Sequence, residues 1–224
     1  MNTEKFFEMA HSMSSVHRYS SLRLVQQESV MEHTGFVCLL AYILCEHINK
    51  FSGEKIDTSS ALQKAVVHDI DEIITGDIPR PTKYYNKETR KAFEKIEKAG
   101  VKKVGNNLGL TEENSNFFKN WENSKQGKEG EIIRLCDLAS VVFKIREEVM
   151  FLSNKRLSPQ IDQVMEYIKS FKERIEKRQE SQFKNYILDL THMVLGWFLW
   201  ANLYNPTLSA YSSPSRTRWA VDNI

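Results

Sequence analysis

The sequence predicts an all-α helical bundle. Apolar residues recur at helical spacing along most of the chain, strand-type alternation is scarce, and no repeat or Gly/Ser-rich linker interrupts the pattern. At 224 residues the chain is long enough for a full core in one large domain, or in one domain with an appendage. The expected division is a main domain over residues 1–180 and a C-terminal helix with an extended tail over residues 181–224.

Each element follows from local signals. Residues 5–14, carrying Phe6, Phe7, Met9, Ala10 and Met13, predict a short first helix. His17-Arg18-Tyr19-Ser20 then breaks the pattern and sets a cation beside an aromatic ring. Arg18 reads either as a solvated surface charge or as a phosphate clamp, because a guanidinium presents a fork matched to phosphate oxygens. Ser29-Val30-Met31-Glu32 has the form of a capping box and opens a long apolar helix to about residue 49. His33 stands at the head of its stripe of Val37, Leu40, Ala41 and Leu44. After a loop, Asp57 or a following Ser/Thr caps a helix over residues 61–75, and Gly76 stops it. Prolines make residues 77–81 irregular, which suits either the wall of a substrate pocket or an ordinary stiff connection.

Residues 87–106 are strongly charged and predict a solvated helix with a thin apolar stripe at Phe93, Ile96 and Val101. Residues 109–130 are polar around a short helix bearing Phe117, Phe118 and Trp121. Residues 131–143 form a helix that looks buried yet holds Asp137, a carboxylate that is costly there unless it is paired or bound to a metal. An ion pair to Arg134, three residues earlier, is the structural alternative. Two further helices are expected over residues 161–204, and an extended or disordered arm over residues 205–224.

Composition narrows the function classes. With 31 basic and 29 acidic residues, the overall field gives no case for a nucleic-acid polymer or a membrane surface. Cys38, Cys45 and Cys136 lack CxxC spacing and read as reduced core thiols of a cytoplasmic protein. The N-terminal residues carry no signal-type apolar run, and the apolar stretch 186–204 contains Asp189, His192 and Asn202, which makes it a poor membrane span.

The chemistry concentrates in residues 65–81, AVVHDIDEIITGDIPRP. On a continuous helix Asp69 and Glu72 are i,i+3 neighbours and His68 and Glu72 are i,i+4 neighbours, so three metal-binding or proton-moving groups share one side. Adding His33 and Asp137 gives two imidazoles and two carboxylates from separate helices. This mixed set suits a divalent ion such as Mn²⁺, Co²⁺, Fe²⁺ or Zn²⁺, with Mg²⁺ also open. Glu72 is placed to take a proton from an attacking water.

The order H…HD…D, with an arginine–aromatic pair upstream, resembles the HD-domain metal-dependent phosphohydrolases, and most closely their YfbR-like 5′-deoxynucleotidase branch. The resemblance rests on Arg18-Tyr19, Glu32-His33, His68-Asp69, Glu72, Thr75-Gly76-Asp77-Ile78-Pro79, Pro81, Lys83-Tyr84 and Asp137, and covers residues 14–150. It implies an HD helical bundle with His33, His68, Asp69 and Asp137 as metal ligands and Glu72 activating the water. It further implies that Arg18 orients the phosphate. Tyr19, Asp77, Ile78, Pro79, Arg80 and Lys83 would line the substrate pocket, with Asp69 and Asp137 bordering the substrate.

Tyr19 stands where the branch usually has Trp, a ring that helps select a 2′-deoxy sugar. Arg80 adds a cation that could reach further phosphates. The implied reaction releases phosphate from deoxynucleoside 5′-monophosphates. The alternatives are a dNTP triphosphohydrolase releasing tripolyphosphate, or a non-catalytic nucleotide-binding scaffold. A homodimer is implied as well, with residues 194–203 contributing to its interface.

Overall fold

A computed structural model describes residues 3–179 and 181–203, and the arm expected at residues 205–224 lies outside them. The described elements are helical: α1 Thr3–Ser12, α2 Val30–Phe51, α3 Thr58–Val67, α4 Glu72–Thr75, α5 Arg80–Lys83, α6 Lys87–Asn107, α7 Phe117–Glu122, α8 Gly127–Arg146, α9 Ser158–Glu176 and α10 Gln182–Leu203. The one isolated β-bridge among the described residues pairs His17 with Ser29. No described helix is long and apolar enough to cross a membrane. The chain forms two compact units, Met1–Phe51 with Lys55–Cys136 and Ser52–Glu54 with the residues from Asp137 onward.

In the first unit α2 begins as its sequence dictates. Ser29 Oγ accepts the Glu32 N–H at 3.1 Å, and Glu32 Oε2 accepts the Ser29 N–H at 2.7 Å, so each residue satisfies a backbone donor that the helix start leaves open. The buried face of α2 reads Val30, His33, Thr34, Val37, Ala41, Cys45 and Ile48, a helical stripe in which an imidazole replaces an aliphatic side chain. It packs on α3, whose Ala61 and Ala65 are fully buried and whose start is capped by Asp57. Each large aliphatic side chain in such a core contributes about 1.5–3 kcal/mol.

The single helix expected over residues 61–75 is in fact broken. α3 stops at Val67, and Ile70 N–H and Glu72 N–H bond three residues back, to Val67 O and Asp69 O, where a regular helix would bond four back. Two aspartates in three residues explain the lapse, since Asp is a weak helix former. α4 then ends at Gly76, whose φ of 70° lies in the left-handed region that favours glycine. The stretch 77–81 is only partly irregular, because α5 starts at Arg80 directly after Pro79.

The stripe expected on α6 is also shifted. Ile96 is exposed, while Glu97, Gly100, Val101, Val104 and Gly105 are buried. The helix turns a carboxylate inward because Arg90 and Lys83 receive it. In the second unit, a π-helical turn, Glu147–Phe151, follows α8. Glu148 is fully buried there between Lys144 Nζ at 3.4 Å and Asn154 Nδ2 at 2.7 Å. α9 packs on α10, and Ile168 and Ile175 on α9 and Phe183 and Ile187 on α10 are buried.

Two helical glycines should respond oppositely to alanine. A Cβ at Gly105 would run into the Phe118 ring, whereas one at Gly35 meets nothing within 4 Å. Gly105→Ala should lose about 1–3 kcal/mol by overpacking, and Gly35→Ala should gain about 0.5–1 kcal/mol of helix stability. Urea-denaturation midpoints check both signs.

Candidate active site

The break between α3 and α4 gives the site its geometry. On a regular helix adjacent side chains diverge by about 100°. At the break His68 and Asp69 turn to one point, with His68 Nε2 and Asp69 Oδ2 3.1 Å apart. His33 Nε2, from α2, comes to 3.3 Å from the same oxygen and 3.2 Å from His68 Nε2. These three ligand-type atoms form the candidate metal cluster among the described residues.

The donor chemistry fits a cation. His68 Nδ1 donates to Ala65 O at 2.7 Å, which orients the ring so that Nε2 faces the cluster. Arg18 Nη1 lies 2.8 Å from His33 Nδ1 and 2.9 Å from Glu28 Oε2. A guanidinium only donates, so in this arrangement the His33 proton sits on Nε2. To bind a metal through Nε2, His33 must move that proton, and Arg18 must loosen its hold.

The surroundings are acidic. Burial pushes Asp69 up, but the adjacent His68 charge and hydrogen bonds from both histidines outweigh it and hold the carboxyl well below its usual range. Glu72, buried at the start of α4, is driven well above its usual range by burial and by Asp69 and Asp77, against the pull of Lys83. Asp71 is pushed up to about 6, first by burial and then by Asp69, although the Trp121 indole N–H donates to its Oδ1 at 3.0 Å. So many carboxylates in one buried neighbourhood call for a positive ion.

Arg18 and Tyr19 reach the site through a short closure, in which Arg18 N–H donates to Glu28 O and Val30 N–H to Val16 O. Arg18 is buried, not solvated, and lies over the Tyr19 ring at 4.8 Å. Tyr19 adopts a φ of 59°, and its N–H donates to Asp77 Oδ2 at 2.8 Å. Asp77, Ile78 and Pro79 are half-buried, and Arg80 is exposed over the Tyr84 ring at 4.7 Å. Lys83 pairs with Glu72 and Glu97. Asp137, on α8, is a half-buried member of the second unit.

The family model described as 5′-deoxynucleotidase YfbR-like matches residues 5–190. The chain belongs to this family. A 5′-deoxynucleotidase of Vibrio vulnificus is 34% identical over 151 residues, 66% of this chain and 77% of that protein. The 5′-deoxynucleotidase YfbR of Escherichia coli is 27% identical over 159 residues, 70% of this chain and 79% of the relative. Among solved structures, an HD-domain phosphohydrolase from Listeria innocua superimposes with a TM-score of 0.72 at 18% identity, covering 100% of both chains. The cyanophage S-2L HD phosphohydrolase, bound to dA and one catalytic Zn²⁺, gives 0.56 at 18% identity over 87% of this chain and 97% of that one. This YfbR-like chain is thus a hydrolase of HD fold.

Asp71, Trp121, Glu97 and Glu28 join the site without having been expected from the sequence. Glu97 left a trace, since it shares the i, i+4, i+7 register of Val101 and Val104. Trp121 left none, because its partner lies 50 residues away.

Two outcomes test the site. Zn²⁺ or Mn²⁺ at a hundredfold excess over Kd should stabilise the protein by about 2.7 kcal/mol, raising Tm by roughly 5 °C or more. His68→Ala should erase that shift in a thermal melt, and an undiminished shift would place the metal elsewhere. In chelator, Asp71 binds its proton more tightly folded than unfolded, so its contribution lowers stability as pH rises from 3.8 to about 6. Asp71→Asn should flatten that slope and gain on the order of 2–3 kcal/mol at pH 7, measured by denaturation across pH.

Proposed function

We propose that this chain is a metal-dependent 5′-deoxynucleotidase that releases phosphate from deoxynucleoside 5′-monophosphates. The observation that carries this reading is the convergence of His33 Nε2, His68 Nε2 and Asp69 Oδ2 within 3.3 Å, beside Glu72 and Arg18, in a chain of the YfbR-like family. The dA and Zn²⁺ held by the S-2L relative support a deoxynucleoside and a divalent ion.

His33, His68 and Asp69 would hold the ion, and the family resemblance alone adds Asp137 as a fourth ligand, with Zn²⁺, Co²⁺, Mn²⁺, Fe²⁺ or Mg²⁺ compatible with the donors. When bound, the ion supplies positive charge to a phosphate oxygen and acidifies a water. Glu72 accepts the proton of the attacking water, and burial with Asp69 and Asp77 nearby, which raises its pKa, makes its carboxylate a stronger base. Arg18 offsets the charge that develops on the phosphoryl oxygens as the bond to the 5′-oxygen breaks. Tyr19 borders the sugar, and the stretch from Asp77 to Arg80 borders the nucleoside.

One feature favours a triphosphate substrate. Arg80 is exposed over the Tyr84 ring at 4.7 Å and adds a cation beside the loop proposed to border the substrate. We further place the protein in the cytoplasm as a homodimer. Reduced thiols support the first, and the exposed Phe36, Leu39 and Ile43 on α2 support the second.

Product analysis decides between the substrates. With dNMPs the expected product is phosphate, with little tripolyphosphate from dNTPs, and Glu72→Ala should lower turnover by about 100-fold or more while keeping its metal. Tripolyphosphate as the main product would establish the triphosphate reading. No turnover of either class by metal-loaded protein would leave only a binding scaffold.

A further inference from the structure

A chain of charges leads from the surface of α6 to Glu72. Arg90 Nη1 donates to both oxygens of Glu97, at 3.2 and 3.1 Å. Glu97 is buried, and its Oε1 lies 3.5 Å from Lys83 Nζ. The same ammonium stands 3.6 Å from Glu72 Oε1. A buried carboxylate is costly unless paired, and Glu97 is paired on two sides. Glu72 Oε2, by contrast, is buried with no hydrogen-bond partner among the described residues. One oxygen of the carboxylate is therefore held by a cation and the other is left open.

We propose that Lys83 and Glu97 are positioning residues for Glu72, holding Oε1 so that Oε2 is presented to the attacking water. The proposal rests on Glu72 being the proton acceptor and deepens that reading. It assigns Lys83 to the base and not to the substrate phosphate, because an ammonium already shared between two carboxylates has little charge left to offer an anion. Burial alone would discharge Lys83, yet Glu72 and Glu97 outweigh it and keep the ammonium protonated. Glu97 in turn keeps Lys83 from folding wholly onto Glu72, where it would cover the open oxygen.

The test is steady-state kinetics of full-length, metal-loaded enzyme on a dNMP. Lys83→Met, Lys83→Arg and Glu97→Gln are each measured alone and in a Glu72→Gln background, with metal content and far-UV circular dichroism recorded. Lys83→Met and Glu97→Gln should lower kcat by about tenfold, a part of the 10²–10⁴ that a general base supplies, with KM and metal content unchanged. Lys83→Arg should recover most of the loss. In the Glu72→Gln background neither change should cost more than about twofold, because effects transmitted through one residue do not add.

A tenfold rise in KM at constant kcat for Lys83→Met would make Lys83 a phosphate contact and overturn the proposal. Equal losses in both backgrounds would also overturn it. A Glu72→Gln enzyme with wild-type kcat is a separate result that removes the premise itself. If Glu97→Gln does not fold, Lys83→Met and its rescue by Lys83→Arg decide the matter on their own.

Discussion

Carboxylate repulsion sets the terms for the first unit. Asp69, Asp71 and Glu72 fall within four residues, and the latter two are buried. Like charges at such spacing, away from water, repel strongly enough to neutralise one another or to demand cations. The chain answers with local devices, namely the Trp121 indole on Asp71, Lys83 between Glu72 and Glu97, and two imidazoles on Asp69. The pKa directions show what remains unbalanced. Asp69 is held low, while Asp71 and Glu72 are driven up. A divalent ion between His33, His68 and Asp69 would complete the balance where the ligand atoms already meet.

Backbone irregularity makes that meeting possible. A continuous helix would send His68 and Asp69 to different faces, so only one could face His33. The three-residue bonds across 67–72 turn both toward α2. On α2 the capping box fixes the helix start, which places His33 in the first buried turn. Local sequence choices that look like minor helix grammar thus decide whether the ligands meet. The glycine stop at Gly76 does the same for the loop that follows.

The helical class, the capping box and the Gly76 stop were readable in the sequence, because each depends on residues close together or on a periodic pattern. His33 and His68, 35 residues apart, were instead grouped with Asp69 and Asp137 by residue type and family resemblance. The helix break at 68–71 was not readable. The apolar Ala, Val and Ile residues on either side carry a helical period through it, and hydrogen-bond register leaves no mark on hydrophobicity. Glu97 was read as solvated because seven of its neighbours between residues 87 and 98 are charged. Its burial follows from Lys83 and Arg90 approaching it in space. The Trp121–Asp71 hydrogen bond spans two elements that no local pattern relates.

One hydrogen bond ties together the two segments proposed to border the substrate. Tyr19 holds a left-handed φ of 59° without being glycine, which costs on the order of 1–3 kcal/mol. The charge-assisted bond from its N–H to Asp77 Oδ2 offsets that strain. Asp77 is itself aimed by the positive φ of Gly76 immediately before it. In the proposed reading Tyr19 borders the sugar, and the residues from Asp77 to Arg80 border the nucleoside. The two walls are therefore one mechanical unit, tied at Asp77 and anchored to the ligand helix through α4. Sugar selection then depends on where Asp77 holds the Tyr19 backbone as well as on the size of the ring. The exchange of the family's usual Trp for Tyr removes ring area while leaving the clamp in place.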